Sequence, residues 1–298
     1  MRVAQFVQST GECIGVEMEN TWMDFTKALA LYSVVKNGSE GALRKNLGEW
    51  IQEGTFDIEL ANSVTAFVHE QKLEDILRLG KKAVMKAPIA RPPKIVALGL
   101  NYALHAAEGE FKVPEEPIIF LKAGSSVIGP DEPIRLPRNL GRMDHEVELA
   151  VVIGKKASEV RKKDAFRYVA GYTILNDVSA RELQTKDLEK RHPWFRSKSF
   201  DSFTPLGPWI VTADEITPPV HLDLQCTVNG LVRQQANTRD MVFDIPTQIE
   251  FITKYITLDP GDIISTGTPE GIGQIKHGDR VLCHIEKIGE LKNPVRHR

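Results

Sequence analysis

Cysteine is scarce in this chain, and spacing pairs none of it. Cys13, Cys226 and Cys283 lie far apart and form no CxxC motif. A disulfide framework of the secreted type is excluded, and reduced structural thiols in a cytoplasmic protein are the expectation. Neither sign of charge is in excess: 38 Lys and Arg oppose 40 Asp and Glu, for a formal net charge of −2. So small an imbalance offers nothing to nucleic acid or to an anionic membrane. No apolar run approaches the ~20 residues of a membrane-spanning helix. The opening Met1-Arg2-Val3-Ala4-Gln5-Phe6 lacks the apolar core of a secretory signal. Internal repeats and low-complexity tracts are missing as well. What is present is a balanced composition, 42% hydrophobic and 26% charged over 298 residues. That suffices for a large buried core, with one large domain and a small one as the natural division.

The division falls at residues 81–94, a stretch rich in Pro and Lys that reads as a linker. Before it, residues 1–20 read as a β-hairpin. Asp24 can cap a helix over 25–36 that stops at Asn37-Gly38, and Leu43, Leu47, Trp50 and Ile51 suggest a second helix ending at Gly54. Residues 1–80 are thus expected to be a small accessory domain. After the linker the pattern becomes strand-rich, and 95–298 is expected to hold the chemistry.

The strongest signal there is Asp144-His145-Glu146-Val147-Glu148-Leu149-Ala150-Val151-Val152-Ile153-Gly154. Its period of two predicts a strand, with Glu146 and Glu148 on one face, Cα atoms roughly 6.5–7 Å apart. Carboxylates so close repel unless one is protonated or a hard divalent ion lies between them. The spacing alone also fits a solvated strand face. His105 and Glu108 stand three apart in a possible helical turn, where a carboxylate can fix the imidazole tautomer, or where the two make only a surface contact. Asp177 falls in the turn between a strand and the helix opened by Ser179-Ala180-Arg181-Glu182, which reads as a capping box; Arg181 and Gln184 share a face of that helix. Leu222 to Gln235 reads as a hairpin around Asn229-Gly230, and Asp244 opens a helix through about residue 257. The Gly-rich run 265–273 lacks the Gly-Lys-Ser/Thr of a nucleotide loop. It suits either an anion cradle or a tight connection.

Seven motifs in order resemble the fumarylacetoacetate hydrolase family, in its shorter members and closest to the branch called fumarylacetoacetate hydrolase domain-containing protein 2. They are Gly-Leu-Asn-Tyr-x-x-His-x-x-Glu (99–108), Ile-Phe-Leu-Lys (119–122), the acidic strand (144–154), Asn-Asp-Val-Ser-Ala-Arg (176–181), Lys-Ser-Phe-Asp (198–201), Leu-Gly-Pro (206–208) and Gly-Asp-Ile-Ile-Ser-Thr-Gly-Thr-Pro-x-Gly-Ile-Gly (261–273). The resemblance covers 92–298 well and 1–80 loosely. It implies an α+β, mostly β fold: a mixed β-roll with peripheral helices and a small N-terminal α+β domain, usually dimeric. It implies that Glu146, Glu148 and Asp177 hold Mg²⁺ or Mn²⁺, that His105 and Glu108 form a water-activating dyad on a lid, and that Lys198 neutralises developing enolate charge. Tyr102, Lys122, Arg181, Gln184 and Thr268 are implied to contact substrate. Ser197 and Glu182 stand where the family often has Gly and Asp. The implied activity is metal-dependent hydrolysis of a C–C bond in a 2,4-dioxo acid. Decarboxylation of oxaloacetate-like acids and enol–keto tautomerisation are alternatives on the same site, and a metal-stabilised binding protein without turnover is the remote one.

Overall fold

The computed structural model describes residues 1–19, 21–39 and 43–298. Its main sheet has eleven strands among the described residues. Nine run side by side in the order Thr21–Asp24, Gly11–Met18, Arg2–Gln8, Thr204–Thr212, Val169–Asn176, Val147–Ile153, Ile263–Ser265, Ile95–Gly99, Ile118–Lys122. Val84–Lys86 pairs with Arg2–Gln8, and Val127–Ile128 pairs with Thr204–Thr212. A five-stranded sheet holds Leu231–Asn237, Asp223–Val228, Arg280–Ile285, Gly289–His297 and Ile134–Leu136 in that order. A third, three-stranded sheet places Met143–His145 between Ser179–Ala180 and Gly273–Gln274.

The sequence explains why Val147–Ile153 is central. All seven of its residues are buried, because both faces are covered. Leu149, Val151 and Ile153 turn into a core shared with Leu224, Val281, Cys283 and Ile285 of the five-stranded sheet. Ala150 and Val152 face a second core, built with the helices Phe25–Asn37, Leu47–Gln52 and Ile58–Glu70. Alternation gives each face its own partner, as a strand between two layers requires. Each fully buried Val or Leu contributes about 1.5–3 kcal/mol, so the element that carries Glu148 is also among the most firmly held.

Local signals set many boundaries. Asp24 accepts from the Lys27 N–H, and Gly38 closes that first helix with φ +70. Asn229 and Gly230 take φ +53 and +79, the left-handed pair a type I′ hairpin needs. Asp244 caps Ile245–Tyr255, with Pro in the first turn. Other boundaries differ from expectation. The second helix starts at Leu47, because the carbonyls of Arg44 and Lys45 are taken by Thr26 and Gln5 side chains and Asn46 supplies the cap. The helix Ile58–Glu70, capped by Asp57, was not anticipated. Nor do residues 81–94 separate two sheets. Arg2–Gln8 pairs with Thr204–Thr212 in the register Arg2↔Val211, so the N-terminal hairpin extends the main sheet. Val84–Lys86, inside the expected linker, is itself a strand of that sheet.

Candidate active site

The expected acidic strand is two strands with a seam at Glu146. Met143–His145 belongs to the small sheet and Val147–Ile153 to the large one. At the seam the Glu146 N–H donates to Asn176 Oδ1 at 2.9 Å, and its carbonyl accepts the Asp177 N–H at 2.8 Å. The register Val147↔Asn176 therefore carries Glu146 opposite Asp177. Glu148 lies one pleat along, two residues before Ala150 on the same face of the strand. The result is a buried group in which one carboxylate oxygen from each of Glu146, Glu148 and Asp177 lies within 4.8 Å of the others. Among the described residues no other His, Cys, Asp or Glu trio converges so closely.

Charge is distributed unequally over the three. Lys198 donates to Glu146 Oε2 at 2.7 Å and to Asp177 Oδ2 at 2.6 Å. Arg181 pairs with the other oxygen of Glu146, and Lys122 with Oδ1 of Asp177. Glu148 has only neutral donors, the Ser265 hydroxyl and the Gly267 N–H at 2.9 Å. Burial raises the Glu146 carboxyl, but Lys198 and Arg181 outweigh it and hold that group well below the usual range. For Glu148 burial acts first, the Asp177 and Glu146 charges add to it, and the carboxyl is pushed up to about 8. Three converging carboxylates, one with no cationic partner, are an all-oxygen donor set suited to a hard divalent ion. Such an ion would favour the ionised form of Glu148.

The helix Arg181–Glu189 starts without a side-chain cap. Ser179 does not close the capping box; its hydroxyl donates to Glu146 Oε1 at 2.9 Å. Arg181 spends its donors on Asp144, Glu146 and Gln184, so the arginine and Gln184 meet as their spacing implied.

His105 lies on the short helix Ala103–Glu108, with Nδ1 3.4 Å from Glu108 Oε2. Glu108 accepts in turn from the Gly271 N–H at 3.1 Å, which docks this helix onto the Gly-rich loop. The loop is fixed from below. Gly267 holds φ +97, and a Cβ there would come within 2.7 Å of the Asn101 Cβ. Asn101 is fully buried and clamps the carbonyls of Thr266 and Phe243 and the N–H of Phe243.

These groups surround one cavity of about 450 Å³. His105, Glu108, Glu146, Glu148, Arg181, Gln184, Lys198 and Thr268 line it. Asp177 stands behind Lys198. Two expected substrate contacts are not on the wall. Lys122 is fully buried and its ammonium is spent on Asp177 and on the carbonyls of Lys198 and Phe203; burial lowers its pKa against the pull of Asp177. The Tyr102 hydroxyl is buried with no hydrogen-bond partner among the described residues, and burial raises it well above its ordinary value. The remaining wall includes aromatic side chains. Trp194 stacks edge-on to Phe120, with ring centroids 5.4 Å apart, and seats against Gly99, where any side chain would collide with it. Arg142 also lines the cavity, anchored by the buried Asp144; neither has a role legible in the sequence, since an Arg-x-Asp pair has no spacing signal of its own.

Comparison with known proteins agrees with this picture. Residues 94–296 match the family Fumarylacetoacetate (FAA) hydrolase C-terminal. The chain is 41% identical over 266 residues to the mitochondrial oxaloacetate tautomerase Fahd2a of Rattus norvegicus, covering 87% of this chain and 82% of that one. It is 52% identical over 205 residues to an uncharacterised protein of Pyrococcus abyssi, covering 69% of this chain and 91% of the other. Among solved structures, it superposes with a TM-score of 0.76 on maleylpyruvate hydrolase from Sphingobium sp. SYK-6 in complex with manganese(II) and pyruvate. The two share 33% identity over 100% of this chain and 99% of that one. Among the described residues no helix is long and apolar enough to cross a membrane.

Proposed function

Because the chain belongs to the fumarylacetoacetate hydrolase family, we propose that it is a divalent-metal-dependent enzyme that interconverts the enol and keto forms of a short 2-oxo acid of the oxaloacetate type. The observation that carries this reading is the convergence of a three-carboxylate cluster, a buried ammonium and a His–Glu pair on one cavity. Similarity to an oxaloacetate tautomerase over most of both chains supports the choice of reaction.

Glu146, Glu148 and Asp177 would hold the ion, Mg²⁺ or Mn²⁺, which supplies Lewis acidity to the carboxylate and 2-oxo oxygens of the substrate. With Nδ1–H donated to Glu108, His105 keeps a lone pair on Nε2. It takes the proton from C3 of the keto form, and the resulting enolate takes a proton from solvent on its 2-oxygen to give the enol; the reverse direction runs the same two transfers backwards. Glu108, held by the Gly271 N–H, fixes the imidazole tautomer. Lys198 offsets the negative charge that gathers on the 2-oxo oxygen as the proton leaves. Phe120, Trp194 and Leu188 keep water from the reacting carbon.

A second reading is hydrolysis of an acylpyruvate, favoured by the likeness to a maleylpyruvate hydrolase. There His105 would deprotonate a water that attacks the distal carbonyl, the C–C bond breaks, and the departing enolate takes a proton. The deciding experiment follows the ultraviolet absorbance of enol-oxaloacetate with Mg²⁺ or Mn²⁺, with and without chelator, beside CO₂ release and acetylpyruvate cleavage. Chelator-sensitive enol decay without CO₂ supports tautomerisation. Cleavage of acetylpyruvate with no effect on the enol moves the assignment to hydrolase, and CO₂ release moves it to decarboxylase.

A further inference from the structure

The cavity wall carries three side-chain cations, and their commitments differ. Lys198 is taken by Glu146 and Asp177. Arg181 is taken by Asp144, Glu146 and Gln184. Arg142 donates only its Nε, to Asp144 Oδ1 at 2.6 Å, and among the described residues neither of its Nη groups makes a hydrogen bond. Its side chain is 49% exposed, whereas the Asp144 carboxylate that holds it is fully buried. Asp144 binds Arg142 through one oxygen and Arg181 through the other, so the two guanidinium groups are set a carboxylate apart along one wall. The backbone beneath Arg142 is fixed as well. Gly141 has φ +76, and a Cβ there would overlap the Glu182 carboxylate. Lys186, and then the Arg142 backbone N–H, hold that carboxylate below its ordinary range.

A guanidinium with Nε anchored and both Nη groups free presents its end as a fork for a planar anion. We propose that Arg142 is a specificity-determining residue that binds the far carboxylate of the substrate, selecting short 2-oxo dicarboxylates of the oxaloacetate type over acids with a neutral tail. This rests on reading the cavity as a 2-oxo-acid site, with the acid's near end at the three carboxylates. The near end lies beside Glu146 and Arg181, and Arg142 is the next cation outward with donors to give.

The test uses calorimetry on the Mg²⁺-loaded protein with L-malate and L-lactate. These 2-hydroxy acids share a chelating head and differ by one distal carboxylate, and neither can enolise. Wild-type protein is expected to prefer malate. Arg142→Gln should weaken malate about 10- to 100-fold, the range for one hydrogen-bonded charged contact. Lactate should weaken by no more than about threefold, from the lost long-range charge. Arg142→Lys, which keeps the charge without the fork, should fall between for malate. In the kinetic arm Arg142→Gln should raise KM for oxaloacetate more than it lowers kcat. A wild-type protein without preference for malate, or variants that weaken both ligands equally, would overturn the assignment. Arg142-dependent malate preference in a protein that turns over no 2-oxo acid would sink the catalytic reading and leave the subsite standing. Turnover of oxaloacetate with the malate preference intact in Arg142→Gln would do the reverse.

Discussion

Stripping divalent ions from this protein should make its stability fall as pH rises through neutrality, and Glu148 is the reason. Its carboxyl is pushed up to about 8 in the fold, first by burial and then by Asp177 and Glu146. In the unfolded chain it titrates near 4.3. Below the unfolded value both states hold the proton and the group costs nothing. Between the two values the native state binds more protons than the unfolded state, so stability declines with pH. Above about 8 the decline is complete. From pH 6 to pH 8 the linkage amounts to roughly 2–3 kcal/mol, at about 1.4 kcal/mol per pH unit. For a chain of this size that is a melting shift of roughly 4–12 °C. The assay is thermal unfolding across that range, with chelator and with excess Mg²⁺, on wild-type protein and on Glu148→Gln. The amide keeps the Gly267 and Ser265 contacts but cannot ionise, so subtracting its profile isolates the contribution of Glu148 from that of every other group. With chelator the difference should carry the predicted slope, and with Mg²⁺ the wild-type slope should flatten or reverse, because the ion binds the ionised form. Identical slopes for wild type and Glu148→Gln under chelation would refute the argument.

Other outcomes follow from the same geometry. His105→Ala should lower kcat for enol–keto exchange by about 10²- to 10⁴-fold, with malate affinity within a few-fold of wild type by calorimetry. Lys122→Met should destabilise the fold by about 3–5 kcal/mol in urea unfolding, since it leaves one oxygen of the buried Asp177 without its cation. Gly267→Ala should cost about 1–3 kcal/mol in the same assay, from the strain of φ +97 and the approach to Asn101. It should also weaken Mg²⁺ binding, because the Gly267 N–H is a donor to Glu148.

What the sequence determined by itself were the features with a short-range cause. Asp24 and Asp244 could be read as caps, and Asn229-Gly230 as a tight hairpin, because backbone dihedrals and first-turn N–H groups are decided within a few residues. The same holds for the pairing of Arg181 with Gln184, three apart on one helix. The motif set, matched in family order, pointed to Glu146, Glu148, Asp177, Lys198 and the His105–Glu108 pair; all but Asp177 line one cavity, and Asp177 lies behind Lys198. Tertiary structure decided how they meet. Glu146 and Asp177 face each other because antiparallel pairing of Val147–Ile153 with Val169–Asn176 closes a gap of thirty-one positions, and register between strands has no signature in either strand alone. The same long-range pairing joined the N-terminal hairpin to the main sheet across the Pro-rich stretch at 81–94. Burial pairs Lys122 with Asp177, turns Ser179 from its helix to Glu146, and leaves the Tyr102 hydroxyl without a hydrogen-bond partner among the described residues. Arg142 has its place in the wall because the buried Asp144 anchors it beside Arg181, which a different element carries. Local chemistry is written into neighbouring residues. Which carboxylate keeps a cation, and which cation keeps a free hand, depends on distances between residues that only the folded chain brings together.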